Sequence, residues 1–246
     1  NTQPKVVGGY NHFVALKADG TVWAWGYNAN GQLGLGDTSN RYKPTKIDIE
    51  NVIDIAAGDS HTLLLTKDGK VYSCGTNSYS QLGRSGNTTK PEEVPGLENI
   101  SQIAASTYNS MALTKDGKLY TWGYNGYGQL GQGNTTNSSQ PVKVQAEEIT
   151  LDSEGNETKE QKTIENIVEI SSGNNSIMMV SKYGEIYSCG YSANGQLGTG
   201  EYTSTIPVAR KATNAKDIKL ANTNTDAEST KAFVQFLFDK IVGLSD

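Results

Sequence analysis

The sequence predicts an all-β protein, and more specifically a β-propeller made of four-stranded blades of about 48 residues. Three observations support this prediction. A glycine-rich phrase returns four times, Asp-Gly turns recur between short apolar runs, and no helix falls within the repeating units. Short strands alone fit a sandwich, a barrel or a propeller, but a regular internal period favours the propeller. We interpret residues 1–246 as a single propeller domain or a propeller fragment.

The repeated phrase joins Trp-Gly or Cys-Gly to a later Gln-Leu-Gly. Its copies begin at Trp25, Cys74, Trp122 and Cys189. The first glycines stand at positions 26, 75, 123 and 190, which gives steps of 49, 48 and 67 residues. The longer third step indicates an insertion, which we place at residues 146–163.

Each phrase follows a segment in which Asp-Gly, or Tyr-Gly in the last copy, separates two apolar runs, as in Leu16 to Trp23. Asp-Gly in this setting predicts a tight hairpin, and we expect positive φ at both central residues. Short apolar runs that end in small residues, such as Ile53 to Gly58, predict buried strands where neighbouring backbones approach closely. Each unit is therefore predicted to contain four strands.

The chain holds four full units, at about 21–66, 69–114, 117–180 and 184–238, with terminal pieces. The N-terminal piece resembles the last two strands of a unit. The C-terminal segment 222–246 has two interpretations: Phe233 to Ser245 fits a strand hairpin that would close a five-blade ring, or a helix by its apolar spacing. An incomplete seven-blade ring, from a longer protein, is the further alternative.

These residues resemble the regulator-of-chromosome-condensation repeat family. The resemblance rests on Trp-Gly, Gly-Gln-Leu-Gly, the Gly-x-x-His step at His12 and His61, and the Asp-Gly turn, and it covers about residues 5–212. It implies a β-propeller, commonly of seven blades. Seven blades of this length would need more residues than this chain has.

Composition excludes several functional classes. The net charge is −5, the wrong sign for binding a phosphate backbone, so no nucleic-acid partner is expected. No apolar run approaches the roughly 18 residues of a membrane span, so no membrane insertion is expected. Two cysteines cannot form a disulfide framework, and the N-terminus does not have the pattern of a signal peptide.

The sequence offers little material for catalysis, so we predict that the protein is not an enzyme. Both histidines occupy one repeat position, where a polar side chain is expected to bridge neighbouring blades. Cys74 and Cys189 replace tryptophan at a repeat position and are predicted to be small core residues. The glycine-rich loops lack the following helix that a phosphate-binding loop requires. We expect no cofactor and no metal ion.

Loop residues at matched repeat positions are the candidate binding residues. Tyrosine is the dominant aromatic residue, with 13 copies against 4 phenylalanines, and many tyrosines fall in predicted loops. One interpretation is that these rings only pack over the outer turns. The functional one is a contact surface on one face, because tyrosine offers both apolar area and a hydroxyl group. The candidates are Tyr10, Tyr27, Asp59, Tyr79, Tyr108, Tyr124, Tyr127, Asn174 and Tyr191.

The acidic insertion at residues 146–163 is predicted to form a projecting hairpin around Gly155-Asn156. Family members that act as nucleotide exchange factors use a projecting wedge against a small GTPase, but this insertion shows no sequence match to that wedge. A solvated acidic loop without a function is the alternative.

From these observations we predict a non-enzymatic binding module that uses loops on one propeller face to recognise a protein. The alternatives are a guanine nucleotide exchange factor for a small GTPase, and a carbohydrate-binding or enzyme-inhibitor propeller. Self-assembly that completes the ring is a further expectation. Composition rich in Asn, Ser and Thr suggests a secreted or cell-surface bacterial protein, with a cytoplasmic location as the alternative.

Overall fold

The structure, a computed structural model, describes residues 2–151 and 153–213. Within these residues there are strands, turns and loops but no helix. The strands form four sheets, each with a core of four antiparallel strands in chain order. We call these sheets blades 1 to 4, and the protein is a β-propeller, as its sequence predicts.

Each blade contains four consecutive strands, numbered from the central channel outwards. Blade 1 contains β1 (Lys5–Gly8), β2 (His12–Leu16), β3 (Val22–Gly26) and β4 (Arg41–Lys46). Blade 2 contains β5 (Val52–Ala57), β6 (His61–Thr66), β7 (Val71–Gly75) and β8 (Glu92–Glu93). Blade 3 contains β9 (Ile100–Ala105), β10 (Asn109–Thr114), β11 (Leu119–Gly123) and β12 (Ser138–Lys143). Blade 4 contains β15 (Ile167–Ser172), β16 (Ser176–Ser181), β17 (Ile186–Gly190) and β18 (Ile206–Lys211).

The blade boundaries differ from the sequence units. The N-terminal strands β1 and β2 pair with β3 and β4 in one sheet, so they do not form a separate terminal piece. The unit at residues 21–66 is divided between two blades. The reason is that each hairpin turn joins strands of the same sheet, whereas the link after the fourth strand leads to the next blade. The fourth sequence unit, which we predict to run to residue 238, extends beyond the described residues, and the C-terminal segment 222–246 lies outside them.

The insertion forms two further strands, β13 (Gln145–Leu151) and β14 (Glu157–Thr163), paired antiparallel along their whole length. Strand β13 joins the outer edge of blade 4 through one parallel pairing, Ala146 with Ala209. Most of β14 is exposed, and Leu151 near the tip is 68% exposed. The insertion therefore widens blade 4 and extends beyond its outer strand.

The tight turn between the second and third strands differs from the expected geometry. Only the glycine has positive φ, for example +80° at Gly20, and the preceding Asp19 does not. Gly20 N–H donates to the Lys17 carbonyl (2.9 Å), and Lys17 N–H donates to the Thr21 carbonyl (2.9 Å). This is a three-residue connection in which glycine takes the left-handed position. The expectation of positive φ at both central residues was wrong, because it assumed a two-residue turn, whereas a three-residue connection needs only its last residue in the left-handed conformation. The Asp19 side chain accepts hydrogen bonds from Thr21.

Three apolar clusters hold the blades together, and each joins two neighbouring blades. Between blades 1 and 2, for example, Val14 and Leu33 pack with Val52 and Ile55, and all four side chains are fully buried. Each fully buried side chain of this kind contributes about 1.5–3 kcal/mol through its removal from water. The core therefore lies between sheets, and each blade depends on its neighbour.

A buried polar contact repeats at each boundary, centred on the glutamine carbonyl of the Gly-Gln-Leu-Gly loop or its Ser-Gln variant. The Gln32 carbonyl of blade 1 accepts from Thr62 Oγ1 (2.8 Å) and contacts Cys74 Sγ (3.7 Å) of blade 2. The Gln81 carbonyl accepts from Ser110 Oγ (2.8 Å) and Trp122 Nε1 (2.9 Å). We call these contacts the glutamine-carbonyl bridges. They satisfy backbone groups that would otherwise be buried without partners.

The two histidines extend these bridges, as the sequence predicts. His12 Nε2 lies 3.1 Å from Thr62 Oγ1, and His61 Nε2 lies 2.9 Å from Ser110 Oγ. The Thr62 and Ser110 hydroxyl groups donate their own protons to glutamine carbonyls. Each hydroxyl oxygen therefore accepts a hydrogen bond from its histidine, which is neutral and carries its proton on Nε2. The rings pack so closely on glycine that a Cβ on Gly58 would lie 2.1 Å from His61 Cε1. Burial lowers the pKa of His12 to about 4, and burial together with the charge of His12 lowers the pKa of His61 to about 3.

We expect acid to destabilise the fold through these histidines. In the unfolded chain a histidine has a pKa of about 6.5 and gains a proton below that pH, while the folded histidines stay neutral until lower pH. The stabilisation is complete above about pH 6.5 and falls as the pH decreases, by about 2 kcal/mol per histidine at pH 5. Urea unfolding at neutral pH and at about pH 5 measures this difference.

The matched control is the double variant His12→Asn with His61→Asn, since blade 3 carries Asn109 at the same position. Its free energy of unfolding should depend less on pH over this range. An equal loss of stability in the variant would contradict a role for the two histidines.

Candidate functional site

Two loops of every blade lie at the same end of the sheet, because consecutive strands are antiparallel. We call this end the loop face. The inner loops border the channel at residues 9–11, 58–60, 106–108 and 173–175. The outer loops span residues 27–40, 76–91, 124–137 and 191–205. All nine candidate binding residues from the sequence fall on this face.

The inner loops surround the mouth of the channel. Tyr10, Asp59, Thr107 and Asn174 line one shared cavity, with one residue from each blade. Tyr10 N–H donates to the Asp59 carbonyl (3.0 Å), Asp59 N–H donates to the Thr107 carbonyl (3.3 Å), and Thr107 Oγ1 donates to Asn174 Oδ1. A chain of hydrogen bonds thus links all four blades around the mouth.

Five of the predicted tyrosines form one continuous group, which we call the tyrosine cluster. Tyr79 of blade 2 contacts Tyr108 and Tyr124 of blade 3, with ring centroids 4.8 and 5.2 Å apart. Tyr124 contacts Tyr127 at 6.2 Å, and Tyr127 contacts Tyr191 of blade 4 at 5.1 Å. Tilted and edge-to-face contacts of this kind stabilise aromatic groups. The rings therefore pack against each other and still expose area, as Tyr79 is 40% exposed.

Tyr10 and Tyr27 lie on the same face but are outside the tyrosine cluster. Tyr10 is 78% exposed at the channel mouth, and Tyr27 is 42% exposed on blade 1. The cluster does not reach blade 1. At the boundary between blades 1 and 2, Asn30 stands at the repeat position of Tyr79, and Thr76 stands at the repeat position of Tyr124.

Buried glutamines hold the clustered tyrosines in place. The Gln81 Oε1 atom accepts from Tyr79 N–H (2.9 Å), and the Gln129 Oε1 atom accepts from Tyr127 N–H (3.0 Å). Both glutamines are buried, and Gln81 also supplies the carbonyl of a glutamine-carbonyl bridge. One residue thus connects the blade boundary to a tyrosine on the surface.

A fully buried asparagine fixes each long outer loop in blades 1 and 3. Asn125 Oδ1 accepts from Leu130 N–H (2.9 Å), and Asn125 Nδ2 donates to the carbonyls of Asn134 (3.1 Å) and Thr136 (3.0 Å). Asn28 makes the equivalent contacts in blade 1. The loop that carries Tyr124 and Tyr127 is therefore held by hydrogen bonds to a buried side chain.

Sequence reasoning missed these supporting residues. Thr107, Gln129 and Asn125 were absent from the predicted site. The available signal was the repeat itself, because Gln and Asn recur at fixed positions beside the tyrosines. A polar residue placed identically in successive blades is expected to satisfy the backbone of its loop.

The loop face carries few charges, whereas the opposite end of the propeller carries many. The charged residues in the eight loops of the face are Asp37, Asp59, Arg84, Lys90 and Glu201. Three of them form ion pairs, with Arg41, Glu92 and Arg210 as partners. At the opposite end, the hairpin turns hold lysines next to carboxylates, as at Lys115, Asp116 and Lys118.

The cysteines are core residues. Cys74 and Cys189 are free and fully buried, and burial raises the pKa of both thiols, to about 12 for Cys74. Among the described residues, no group of three or more His, Cys, Asp or Glu side chains is arranged to hold a metal ion. None of the described residues forms a helix with the length and apolar character that crossing a membrane requires.

Comparison with known proteins identifies the family. A sequence model of the RCC1-like domain matches residues 4–159, which is more than half of the chain. The chain belongs to the RCC1-like domain family. Two solved structures are similar over most of this chain. Yeast RCC1 (Prp20), solved bound to Kap60, has a TM-score of 0.71 and 25% identity, covering 88% of this chain and 51% of that one. Human WBSCR16 has a TM-score of 0.70 and 25% identity, covering 87% and 54%.

Curated relatives match shorter stretches of this RCC1-like chain. The mouse E3 ubiquitin-protein ligase HERC2 is 40% identical over 48 residues, 20% of this chain and 1% of that protein. The ultraviolet-B receptor UVR8 of Arabidopsis thaliana is 32% identical over 57 residues, 22% of this chain and 13% of that protein. The chain spans about half the length of the two solved structures and a small part of these curated relatives.

We expect Asn125→Ala to loosen the RCC1-like outer loop of blade 3. The substitution leaves the Leu130 amide and the Asn134 and Thr136 carbonyls without their partner, at a cost of about 1–3 kcal/mol. The melting temperature should fall, and the near-ultraviolet circular dichroism of the tyrosines should weaken. Asn194→Ala is the control, since that side chain is exposed in the matching loop of blade 4. Similar losses in both variants would show that Asn125 has no special role.

Proposed function

We propose that this protein is a non-catalytic module that binds a protein partner through its loop face. The tyrosine cluster is the observation that carries the proposal. It offers five neighbouring aromatic rings on the charge-poor end of the propeller, with hydroxyl groups for directional hydrogen bonds. Tyrosine is enriched in binding surfaces for this reason, and charged residues are depleted at interface centres.

Rigidity of the loop face adds to this support. The glutamines and asparagines beneath the tyrosines fix their backbone through buried hydrogen bonds. A surface that is ordered before binding loses little conformational entropy when the partner arrives. The face is therefore suited to recognising one defined partner surface.

Relatives are consistent with protein recognition. Yeast RCC1 (Prp20) was solved in a complex with Kap60, and the structure of Prp20p was described together with its binding properties to Gsp1p and histones. RCC1-like propellers are typically binding or exchange-factor modules. A protein is therefore the preferred class of partner here, ahead of carbohydrate. A secreted or cell-surface location stays a prediction from composition.

Tyr124→Ala combined with Tyr191→Ala is expected to weaken partner binding with little change in melting temperature, because these rings are partly exposed. Random peptides displayed on phage and selected on the wild-type protein provide the probe. The selected peptides should bind the double variant about tenfold more weakly or worse.

Tyr42→Ala combined with Tyr202→Ala is the matched control. These side chains are 93% and 81% exposed and lie outside the tyrosine cluster. Peptide binding should survive in this control. If both double variants bind equally well, the rings do not form the site. A large loss of stability in the cluster variant without a loss of binding would show that the rings only pack.

The exchange-factor alternative makes a different prediction. The hairpin β13–β14 lies on the outer edge of blade 4, away from the channel mouth, and its tip is exposed. We expect no faster release of labelled guanine nucleotide from a panel of small GTPases when this protein is added. Faster release that is lost on deleting residues 149–159 would replace the scaffold proposal with exchange activity through the hairpin.

A further inference from the structure

The hydroxyl groups of the tyrosine cluster have no hydrogen-bond partner among the described residues. By contrast, the hydroxyl of Tyr187, on a strand of blade 4, donates to Glu185 (3.1 Å). All five clustered rings keep part of their area exposed. A ligand that covers them must supply acceptors for the hydroxyl protons, because a buried donor without an acceptor costs free energy. The cluster therefore favours a ligand that is rich in acceptors.

The loop segments that carry the tyrosine cluster hold no charged residue. These segments are residues 76–83, 106–108, 124–137 and 191–200, and they consist mainly of Gly, Asn, Ser, Thr, Gln and Tyr. A charged group of a ligand would lose its hydration on this surface without gaining an opposite charge. The part of a ligand that lies on the rings is therefore expected to be uncharged.

Backbone donors near the rings are already paired within the protein. Tyr79 N–H and Tyr127 N–H donate to buried glutamine side chains, and Leu130 N–H donates to Asn125. Addition of a β-strand needs a row of unpaired N–H and C=O groups at a sheet edge. The cluster lies on loops, and these N–H groups are not free for such pairing. A ligand that binds through side-chain and hydroxyl contacts fits this surface better than an added strand.

Four of the rings form a row whose neighbours are steeply inclined to each other. From Tyr191 through Tyr127 and Tyr124 to Tyr79, the centroids are 5.1, 6.2 and 5.2 Å apart, with interplanar angles of 72°, 76° and 66°. The row is therefore ridged and not flat. Alternate rings are at most about 11 Å apart, which accommodates one turn of a polyproline II helix of about 9 Å.

We propose that the tyrosine cluster binds a proline-rich segment of a protein partner in the polyproline II conformation. This inference rests on the proposed function and specifies the chemistry of the partner. Proline has no backbone N–H, so it covers the aromatic rings without burying a donor. Carbonyl groups have no internal partner in this helix, so they accept from the tyrosine hydroxyls. The segment is extended before binding and loses little conformational entropy.

Binding of a defined peptide to the full 246-residue chain tests the proposal. The probe is decaproline with blocked ends and a fluorescent label, and fluorescence anisotropy follows the titration. We expect saturable binding, at least about ten times tighter than that of a glycine–serine peptide with the same length and label. Tyr124→Ala combined with Tyr191→Ala should weaken decaproline binding about tenfold or more. Tyr42→Ala combined with Tyr202→Ala, outside the cluster, should leave it unchanged.

Phenylalanine variants test the hydroxyl groups separately from the rings. The triple variant Tyr79→Phe, Tyr124→Phe and Tyr127→Phe keeps the aromatic packing and removes three donors that have no partner among the described residues. Its melting temperature should equal that of the wild type, and its affinity for decaproline should fall by about three- to tenfold. Tyr42→Phe combined with Tyr202→Phe is the matched control and should bind like the wild type.

Several outcomes would overturn the proposal. Phage-selected peptides that bind the cluster without proline, together with no binding of decaproline, would end this inference and leave the proposed function intact. Failure of every peptide to bind would end both. Decaproline binding that the alanine variant of the cluster leaves unchanged would place the segment elsewhere. If the phenylalanine variant binds as tightly as the wild type, the hydroxyl groups do not recognise the ligand and the proposal is wrong.

An uncharged oligosaccharide is the competing ligand, because sugars also pack on aromatic rings and accept hydrogen bonds. Cellohexaose, titrated under the same conditions and followed by calorimetry, is the probe for this class. We expect no binding of cellohexaose at concentrations that saturate decaproline binding. Cellohexaose binding that is lost with Tyr124→Ala and Tyr191→Ala, in the absence of decaproline binding, would replace the proline-rich segment with a carbohydrate.

Discussion

The structure depends on one repeated interaction, the hydrogen bond from the second and third strands of a blade to the glutamine carbonyl of the preceding blade. This carbonyl is buried, so leaving it without a donor would cost about 1–3 kcal/mol. Different donors fill the role: Thr62 with Cys74, then Ser110 with Trp122, then Cys189 at the last boundary. The acceptor never changes. Because this acceptor is a backbone group, the recurrence of glutamine follows instead from its side chain, whose Oε1 accepts from the loop backbone in all four blades.

The same glutamine connects stability to the candidate site. Its carbonyl faces the next blade, while its side-chain amide accepts from the backbone of the residue two positions earlier. In blades 2 and 3 that residue is a clustered tyrosine, Tyr79 or Tyr127. Each of these tyrosines then contacts a tyrosine of the next blade. The packing of neighbouring blades therefore sets the position of the rings, and the proposed binding face is a consequence of that packing.

The propeller also separates its charges. Hairpin turns at one end need Gly for their geometry and hold charged residues next to it, while the loops at the other end are rich in Asn, Ser, Thr, Gly and Tyr. Amide and hydroxyl side chains satisfy these loops internally without adding charge. The end with the more elaborate backbone is thus also the end with fewer ions to desolvate, which supports the proposal that it binds a protein.

Much of this architecture follows from the sequence alone. The repeat period, the turn glycines and the alternation within strands determine a propeller of four-stranded sheets, and the shared position of His12 and His61 determines that they bridge blades. Repeat register also placed all nine candidate residues on one face. These features are local or periodic, so they can be recognised from the sequence alone. Two things required the tertiary structure: the sheet boundaries, and the separation of Tyr10 and Tyr27 from the tyrosine cluster. Both depend on which strands and side chains meet in space, and that relation arises only when the strands pair and the blades pack side by side.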